Sequence, residues 1–272
     1  MKIAFATCVQ LGRSCIEEVL RQGGHFDLFI TLKDDQARQK SGRIYLDDLA
    51  EKEGTPLLKI RHINDQETLD ALKAHQIDWL FIIGWSQIAG QTLLDTPKRG
   101  IIGMHPTLLP KGRGRAAIPW AILKGLPETG VTMFKMDAGV DTGDILAQGR
   151  IPMEPGITAT ELYDRVDKMH VELMARAWPN IIADTITPVP QDHSQATQWP
   201  GRKPQDGELV SSMTMEEADR MVRAVTHPYP GAFYRTEGKI LRIWAAKTNP
   251  VQGKIPLADG FLGPTDWEEE EI

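Results

Sequence analysis

With 272 residues, the chain has room for one large domain and a small one, and for a sizeable core without disulfides or structural metals. A composition of 41% hydrophobic and 25% charged residues is that of an ordinary globular protein, which argues against disorder and collagen-like repeats. The net charge of −6 provides no global basic field to attract nucleic acid or anionic lipid.

The start, MKIAFATC, runs directly into strand-like sequence without a signal-peptide pattern. No apolar run approaches the roughly 20 residues of a membrane span. Cys8 and Cys15 fit neither a redox pair nor a zinc half-site and read as reduced thiols. The expectation is a cytoplasmic protein that binds neither membrane nor nucleic acid, with a homodimer left open.

In chain order, Ile3 to Thr7 reads as a buried strand and Ser14 to Arg21 as a helix with Ile16, Val19 and Leu20 inward. Phe26 to Leu32 is a strand, Ile44 to Glu53 a helix, Leu57 to Ile60 a strand and Glu67 to His75 a helix. Asp78 to Ile83 is a near-continuous apolar run, as in a strand covered on both faces. The alternation predicts an α/β fold, a mostly parallel sheet with helices on both sides.

Further on, Arg115 to Lys124 reads as a helix, while Val131 to Lys135 and Asp144 to Ile151 read as strands. Thr158 and Glu161 form a capping box that opens a helix with Leu162, Val166, Met169 and Leu173 on one stripe. That helix is expected to end near Ala177, before Pro179. Residues 185–200 are rich in Pro, Gln and Thr and read as a linker between a catalytic domain, 1–184, and a small C-terminal module, 201–272. In that module Thr214 and Glu217 cap another helix, two strands flank a Glu237-Gly238 turn, and Glu268 to Glu271 read as a solvated end.

Residues 101–149 carry the chemistry. His105 follows an apolar strand-like run, at the kind of strand end where open α/β sheets bind ligands. By spacing alone, a lone His at such a strand end is more often structural than catalytic. The stretch Asp137 to Asp144 interleaves Asp and Gly, as a solvated turn or an oxygen-ligand loop would. It lacks the closing Glu of a calcium loop, so no metal is expected.

Together, HPTLLPKGRG and TGVTMFKMDAGVDTGDILAQ strongly resemble the N10-formyltetrahydrofolate-dependent formyltransferases, a family with methionyl-tRNA, glycinamide ribonucleotide and nucleotide-sugar branches. RKPQDGEL and RMVRAVTHPYPGAF resemble the small C-terminal domain of the tRNA and sugar branches, so the likeness spans about residues 1 to 245. It implies a Rossmann-like domain followed by an OB-like α+β module. It also implies an Asn, His and Asp trio, with the His at His105 and the Asp at Asp141. The Asn would fall two residues before the His, where this chain has Gly103. The resemblance places the pterin slot of N10-formyltetrahydrofolate between Trp85, Ser86, Gln87 and Ile88 on one loop and Met136, Asp137, Gly139 and Asp141 on another.

Formyl transfer needs a group that takes a proton from the attacking amine, and a donor for the tetrahedral oxyanion. His105 assisted by Asp141 suits the first task. For the second, three substitutes for Asn are open: backbone N–H groups after Gly103, protonated His105, or Gln87 or Ser86. Lys111, Arg113 and Arg115 could be solvated or could meet a phosphate, with Arg13 at the rim of the cleft. From Gly201 onward, nine Lys/Arg stand against twelve Asp/Glu, the wrong sign for gripping tRNA. The wording GWSQI, GRGRAAIPWAILKG and HPYPGAF looks most like the nucleotide-sugar branch, whose substrate is an amino sugar on a UDP or dTDP carrier. A formyltransferase acting on tRNA or another small amine, and a non-catalytic binding protein, are the alternatives.

Overall fold

A computed structural model describes residues 1–39, 42–248 and 255–271. Its contacts divide the chain into two units that each draw on several segments: 1–113, 130–150 and 166–198 in the first, and 114–129, 151–165 and 199–272 in the second.

The first unit is built on a seven-stranded sheet. Its strands in chain order are β1 (Ile3–Ala6), β2 (Leu28–Leu32), β3 (Leu57–Ile60), β4 (Trp79–Ile82), β5 (Gly100–His105), β6 (Glu128–Lys135) and β7 (Ile145–Pro152). Their order across the sheet is β3-β2-β1-β4-β5-β6-β7. The pairs β3–β2, β2–β1, β1–β4 and β4–β5 are parallel, and β5–β6 is antiparallel. Helices α1 (Gln10–Arg21), α2 (Asp47–Glu53), α3 (Gln66–Ala74) and α4 (Gln91–Leu94) connect the parallel strands.

Side chains alternate across a strand, and here both faces are buried. Ala4, Ala6, Leu28, Ile30, Leu80 and Ile82 share one aliphatic cluster with Leu69, Leu72 and Leu93 from α3 and α4. Phe5, Phe29 and Phe81 occupy the alternate positions and are also fully buried. There Phe5 stacks on Phe81 at 5.6 Å, and Trp178 lies 5.3 Å from Phe26 and 6.2 Å from Phe81. This two-sided burial explains why the strand sequences read as continuous apolar runs.

Trp178 also accounts for a correction. Helix α6 (Ala159–Ile182) does not stop before Pro179 but contains it. A proline there removes one helical N–H, a cost of about 3 kcal/mol in an isolated helix. Trp178 and Ile181 flank it, 6% and 0% exposed, and their burial offsets the loss. The helix opens with the expected box, in which Thr158 N–H and hydroxyl both donate to Glu161 Oε2 (2.9 and 2.8 Å).

Residues 185–198, expected as linker, pack into the first unit. Val189 and Ile145 exchange two backbone hydrogen bonds of 2.8 Å, and Gln191 is 5% exposed. The segment is held by amide and hydroxyl groups rather than an apolar stripe, so periodicity gives no sign of it.

The second unit carries a four-stranded antiparallel sheet, β8 (Ala232–Thr236), β9 (Lys239–Thr248), β10 (Ile255–Leu257) and β11 (Gly260–Glu271), in the order β8-β9-β11-β10. The unit also holds α5 (Ala117–Leu123) and α7 (Met215–Val225), the latter capped by Thr214 and Glu217 as expected. Glu268 to Glu271 are largely exposed, as expected, but belong to a strand. They end β11 opposite β9, where Lys239 pairs with Glu269 at 2.8 Å and Arg242 binds Glu270 through Nε and Nη2. No helix among the described residues is long and apolar enough to cross a membrane.

His170 on α6 gives a pH test of this core. It is 2% exposed, and its Nδ1 donates to the Val166 carbonyl at 2.7 Å. Burial pushes its pKa down to about 4, partly offset by that hydrogen bond. The folded state therefore keeps it neutral, while the unfolded chain binds a proton below about pH 6.5. Acidification through that window favours unfolding, and the penalty is complete near pH 4. Between pH 7.5 and 4.5 the parent should lose roughly 2–3 kcal/mol more stability in urea than His170→Leu. Equal losses in the two proteins would contradict a neutral buried His170.

Candidate active site

His105 is the last residue of β5, which delivers the ring to the C-terminal edge of the parallel strands. Its side chain is 10% exposed. Nε2 lies 2.8 Å from the Gly112 carbonyl, which can only accept, so Nε2 carries a proton. A neutral ring is then bare at Nδ1, and Nδ1 lies 3.5 Å from Asp141 Oδ2.

The loop that supplies Gly112 is tied down by polar contacts. Thr132 on β6 pairs with His105 in the sheet register, and its hydroxyl donates to the Thr107 carbonyl (2.7 Å) and accepts from Leu109 N–H (3.1 Å). Gln148 on β7 donates to the Leu109 carbonyl and the Thr132 hydroxyl (3.0 and 2.8 Å). Gly112 N–H itself donates to the Thr197 hydroxyl at 2.8 Å.

The Asp-Gly stretch is a self-capped turn. Asp137 Oδ1 accepts from Gly139 N–H (3.1 Å) and from the Thr142 hydroxyl (2.5 Å). A Cβ at Gly139 would fall 1.9 Å from the Thr142 hydroxyl, and one at Gly143 would fall 1.7 Å from the Lys135 carbonyl, so both positions need glycine. Asp141 has φ of 55°, in the left-handed region that Asp tolerates better than most residues. Gln191 Nε2 donates to the carbonyls of Asp141 and Gly143 (2.9 and 2.6 Å). Among the described residues, no group of His, Cys, Asp and Glu could hold a metal ion.

The loop after β4 starts at Gly84, where φ is 67° and a Cβ would meet Val9 Cγ2 at 2.1 Å. It is locked to the loop after β3 by two side-chain amides. Gln87 accepts from Ile63 N–H (2.7 Å) and donates to the Arg61 carbonyl (2.9 Å), while Asn64 accepts from Gly90 N–H (2.8 Å) and donates to the Ile88 carbonyl (2.9 Å). Gln87 Oε1 also accepts from the Trp85 indole (3.1 Å). Gln87, one of the open candidates for oxyanion donor, thus engages the loop through its oxygen and one amide hydrogen. Trp85 and Met136 pack against the same aliphatic cluster, Ser86 is exposed, and Ile88 is 72% exposed.

The departure at Gly103 has a steric counterpart. A Cβ there would lie 3.2 Å from Met136 Cγ and 3.2 Å from Phe134 Cε1 and Cζ. Two apolar side chains thus crowd the first carbon of any side chain at this position.

The expected phosphate contacts divide. Arg13 is committed to acids: Nε meets Glu17 (2.8 Å) and both Nη atoms meet Asp48 (3.0 and 2.7 Å). Lys111 and Arg115 are exposed. Arg113 is a correction, for it is 5% exposed instead of lining an open loop. Its Nε and Nη2 donate to Gln191 Oε1 (3.2 and 2.6 Å), and Nη2 also meets His193 Nδ1 (2.9 Å). Gln191 and Thr197 are the residues that sequence reading missed, because each is a lone polar residue in a stretch without period.

Comparison with known proteins follows the same lines. The family described as Formyl transferase matches residues 5–178, and its C-terminal domain matches residues 202–258. A methionyl-tRNA formyltransferase of Desulfotalea psychrophila is 36% identical over 221 residues, 79% of this chain and 68% of that protein. One from Lachnospira eligens is 28% identical over 249 residues, 90% of this chain and 78% of that protein. Among solved structures, an N-formyltransferase from Helicobacter canadensis in complex with folinic acid and dTDP-3-aminofucose matches with a TM-score of 0.70 at 20% identity, covering 96% of this chain and 97% of that one. With a catalytic-domain match over most of its length and a relative above 30% identity, the chain belongs to the formyl transferase family.

Proposed function

We propose that the protein transfers the formyl group of N10-formyltetrahydrofolate to the primary amine of a nucleotide-linked amino sugar, with His105 moving the proton and Asp141 assisting. The observation that carries this reading is the His105 ring, with an acceptor facing each nitrogen. Nδ1 takes the proton of the attacking amine, and the resulting ring then has both N–H groups facing oxygen, Gly112 on one side and Asp141 on the other. The same proton is returned to the leaving nitrogen of the donor.

The residues present fit a flat, partly apolar donor. Ile88 and Val140, 72% and 50% exposed, are large apolar side chains on the two loops assigned to the pterin. Trp85 and Met136, on the same two loops, are partly buried against the aliphatic cluster. The bound folate brings the activated formyl group. The chain's share is to hold it, exclude water and handle the proton.

For the acceptor, the charges of the C-terminal unit favour a small molecule over tRNA. Arg220, Arg223, Arg235, Lys239 and Arg242 are all paired with Glu or Asp of the same unit. A surface that spends its cations on its own acids releases few counterions from a polyanion. Folinic acid and dTDP-3-aminofucose in the Helicobacter canadensis enzyme support the sugar reading. The names of the relatives from Desulfotalea and Lachnospira support methionyl-tRNA as the second reading.

Turnover with N10-formyltetrahydrofolate and a panel of UDP- and dTDP-linked amino sugars, set beside methionyl-tRNA, decides between them. We expect formylation of at least one sugar and no salt-sensitive tRNA binding at micromolar concentrations; efficient formylation of methionyl-tRNA alone would reverse the assignment. His105→Asn should lower kcat by about a hundredfold or more while leaving folate affinity nearly unchanged. A variant retaining a tenth of parental turnover would remove His105 from the proton path. Gly103→Asn should slow the reaction and weaken folate binding, since Phe134 and Met136 must give way at a cost of about 1–3 kcal/mol. A faster Gly103→Asn would show instead an unfilled donor site.

A further inference from the structure

We infer that Gln191 is a positioning residue for the His105–Asp141 pair, and that Arg113 serves it from behind. The inference rests on the proposed role of that pair.

Gln191 is 5% exposed, and both ends of its amide are saturated. Oε1 takes two bonds from the Arg113 guanidinium, and the two hydrogens of Nε2 go to the Asp141 and Gly143 carbonyls. Those carbonyls lie on either side of Thr142, so one amide fixes the peptide planes through the left-handed Asp141. A non-glycine residue at φ of 55° persists only where its surroundings over-determine it. Here Gln191 supplies that restraint, and the restrained residue is the one facing Nδ1.

The other acceptor of the ring depends on the same segment. Gly112, whose carbonyl takes Nε2–H, donates its own N–H to the Thr197 hydroxyl. The next residue, Arg113, donates its N–H to the Thr197 carbonyl at 2.9 Å and its side chain to Gln191. Residues 191–197 therefore hold both oxygens that flank His105.

The choice of residue type separates positioning from plain packing. Arg113 is buried and makes no ion pair among the described residues; its partners are Gln191 and His193, both short of a formal negative charge. For the guanidinium alone a glutamate at 191 would supply the formal countercharge that Gln191 and His193 lack. A glutamate, however, has no hydrogens for the Asp141 and Gly143 carbonyls and would repel both. The amide is the side chain of this size that accepts from Arg113 and donates twice to the turn.

Gln191→Glu thus keeps the Arg113 contact, removes both hydrogen bonds to the turn and sets an oxygen against the Asp141 and Gly143 carbonyls. With uniformly 15N-labelled protein, the His105 ring signals, assigned through His105→Asn, are compared in the parent, Gln191→Glu, Gln191→Ala and Asp141→Ala. We expect Gln191→Glu to melt within a few degrees of the parent, while its Nδ1 signal moves toward that of Asp141→Ala. Its kcat should fall by about tenfold or more with KM for the formyl donor within about threefold. Should Gln191→Glu fail to fold, the Nδ1 signal of Gln191→Asn, which keeps the amide but has a shorter reach, is read in its place. An Nδ1 signal unmoved in every folded Gln191 variant overturns the proposal. The ring signal requires no substrate, so this result stands even if the amine acceptor has been misassigned.

Discussion

Everything in the candidate site converges on one imidazole held between two oxygens. The Gly112 carbonyl fixes the proton on Nε2, and Asp141 lies beyond Nδ1. A free histidine ring spins about its side-chain bonds and exchanges tautomers; this one is constrained in both respects by groups on two different loops. The loops have little regular structure of their own. Thr132 and Gln148 on the strands tie one of them to the sheet, and Gln191 ties the other. Catalytic geometry here is a property of side chain-to-carbonyl bonds as much as of the fold beneath them.

That division explains what the sequence made legible. Strands buried on both faces produce apolar runs, so the parallel part of the sheet could be read directly, and so could the capping boxes at Thr158 and Thr214. His105 and Asp141 stood out by resemblance, with local chemistry alone leaving each ambiguous. Pro179 misled because a local rule was overridden by the burial of Trp178 and Ile181. Glu268 to Glu271 could be read as exposed but not as strand, because a run of like charge gives no sign of its cross-strand cations. Gln191 and Thr197 were hidden for a different reason: a single amide or hydroxyl that satisfies distant carbonyls leaves no periodic trace.

Gly103 shows how a departure from a family pattern is absorbed. On the neighbouring loop, the side-chain amides of Gln87 and Asn64 each bond backbone groups. Phe134 and Met136 crowd the position itself. With that position crowded, the proposed proton transfer depends on the placement of the His105 ring. Such a site asks more of the precision of that ring, and the buried Arg113–Gln191 support is consistent with that demand.

The most direct test of this account is a crystal structure of the protein with a stable formyl-folate. If His105 works through Nδ1, the formyl group should lie on the Nδ1 and Asp141 side of the ring, within hydrogen-bond reach of Nδ1, with the Nε2–Gly112 contact intact. A formyl group on the Nε2 side with Gly112 displaced, or a folate seated away from His105, would contradict it.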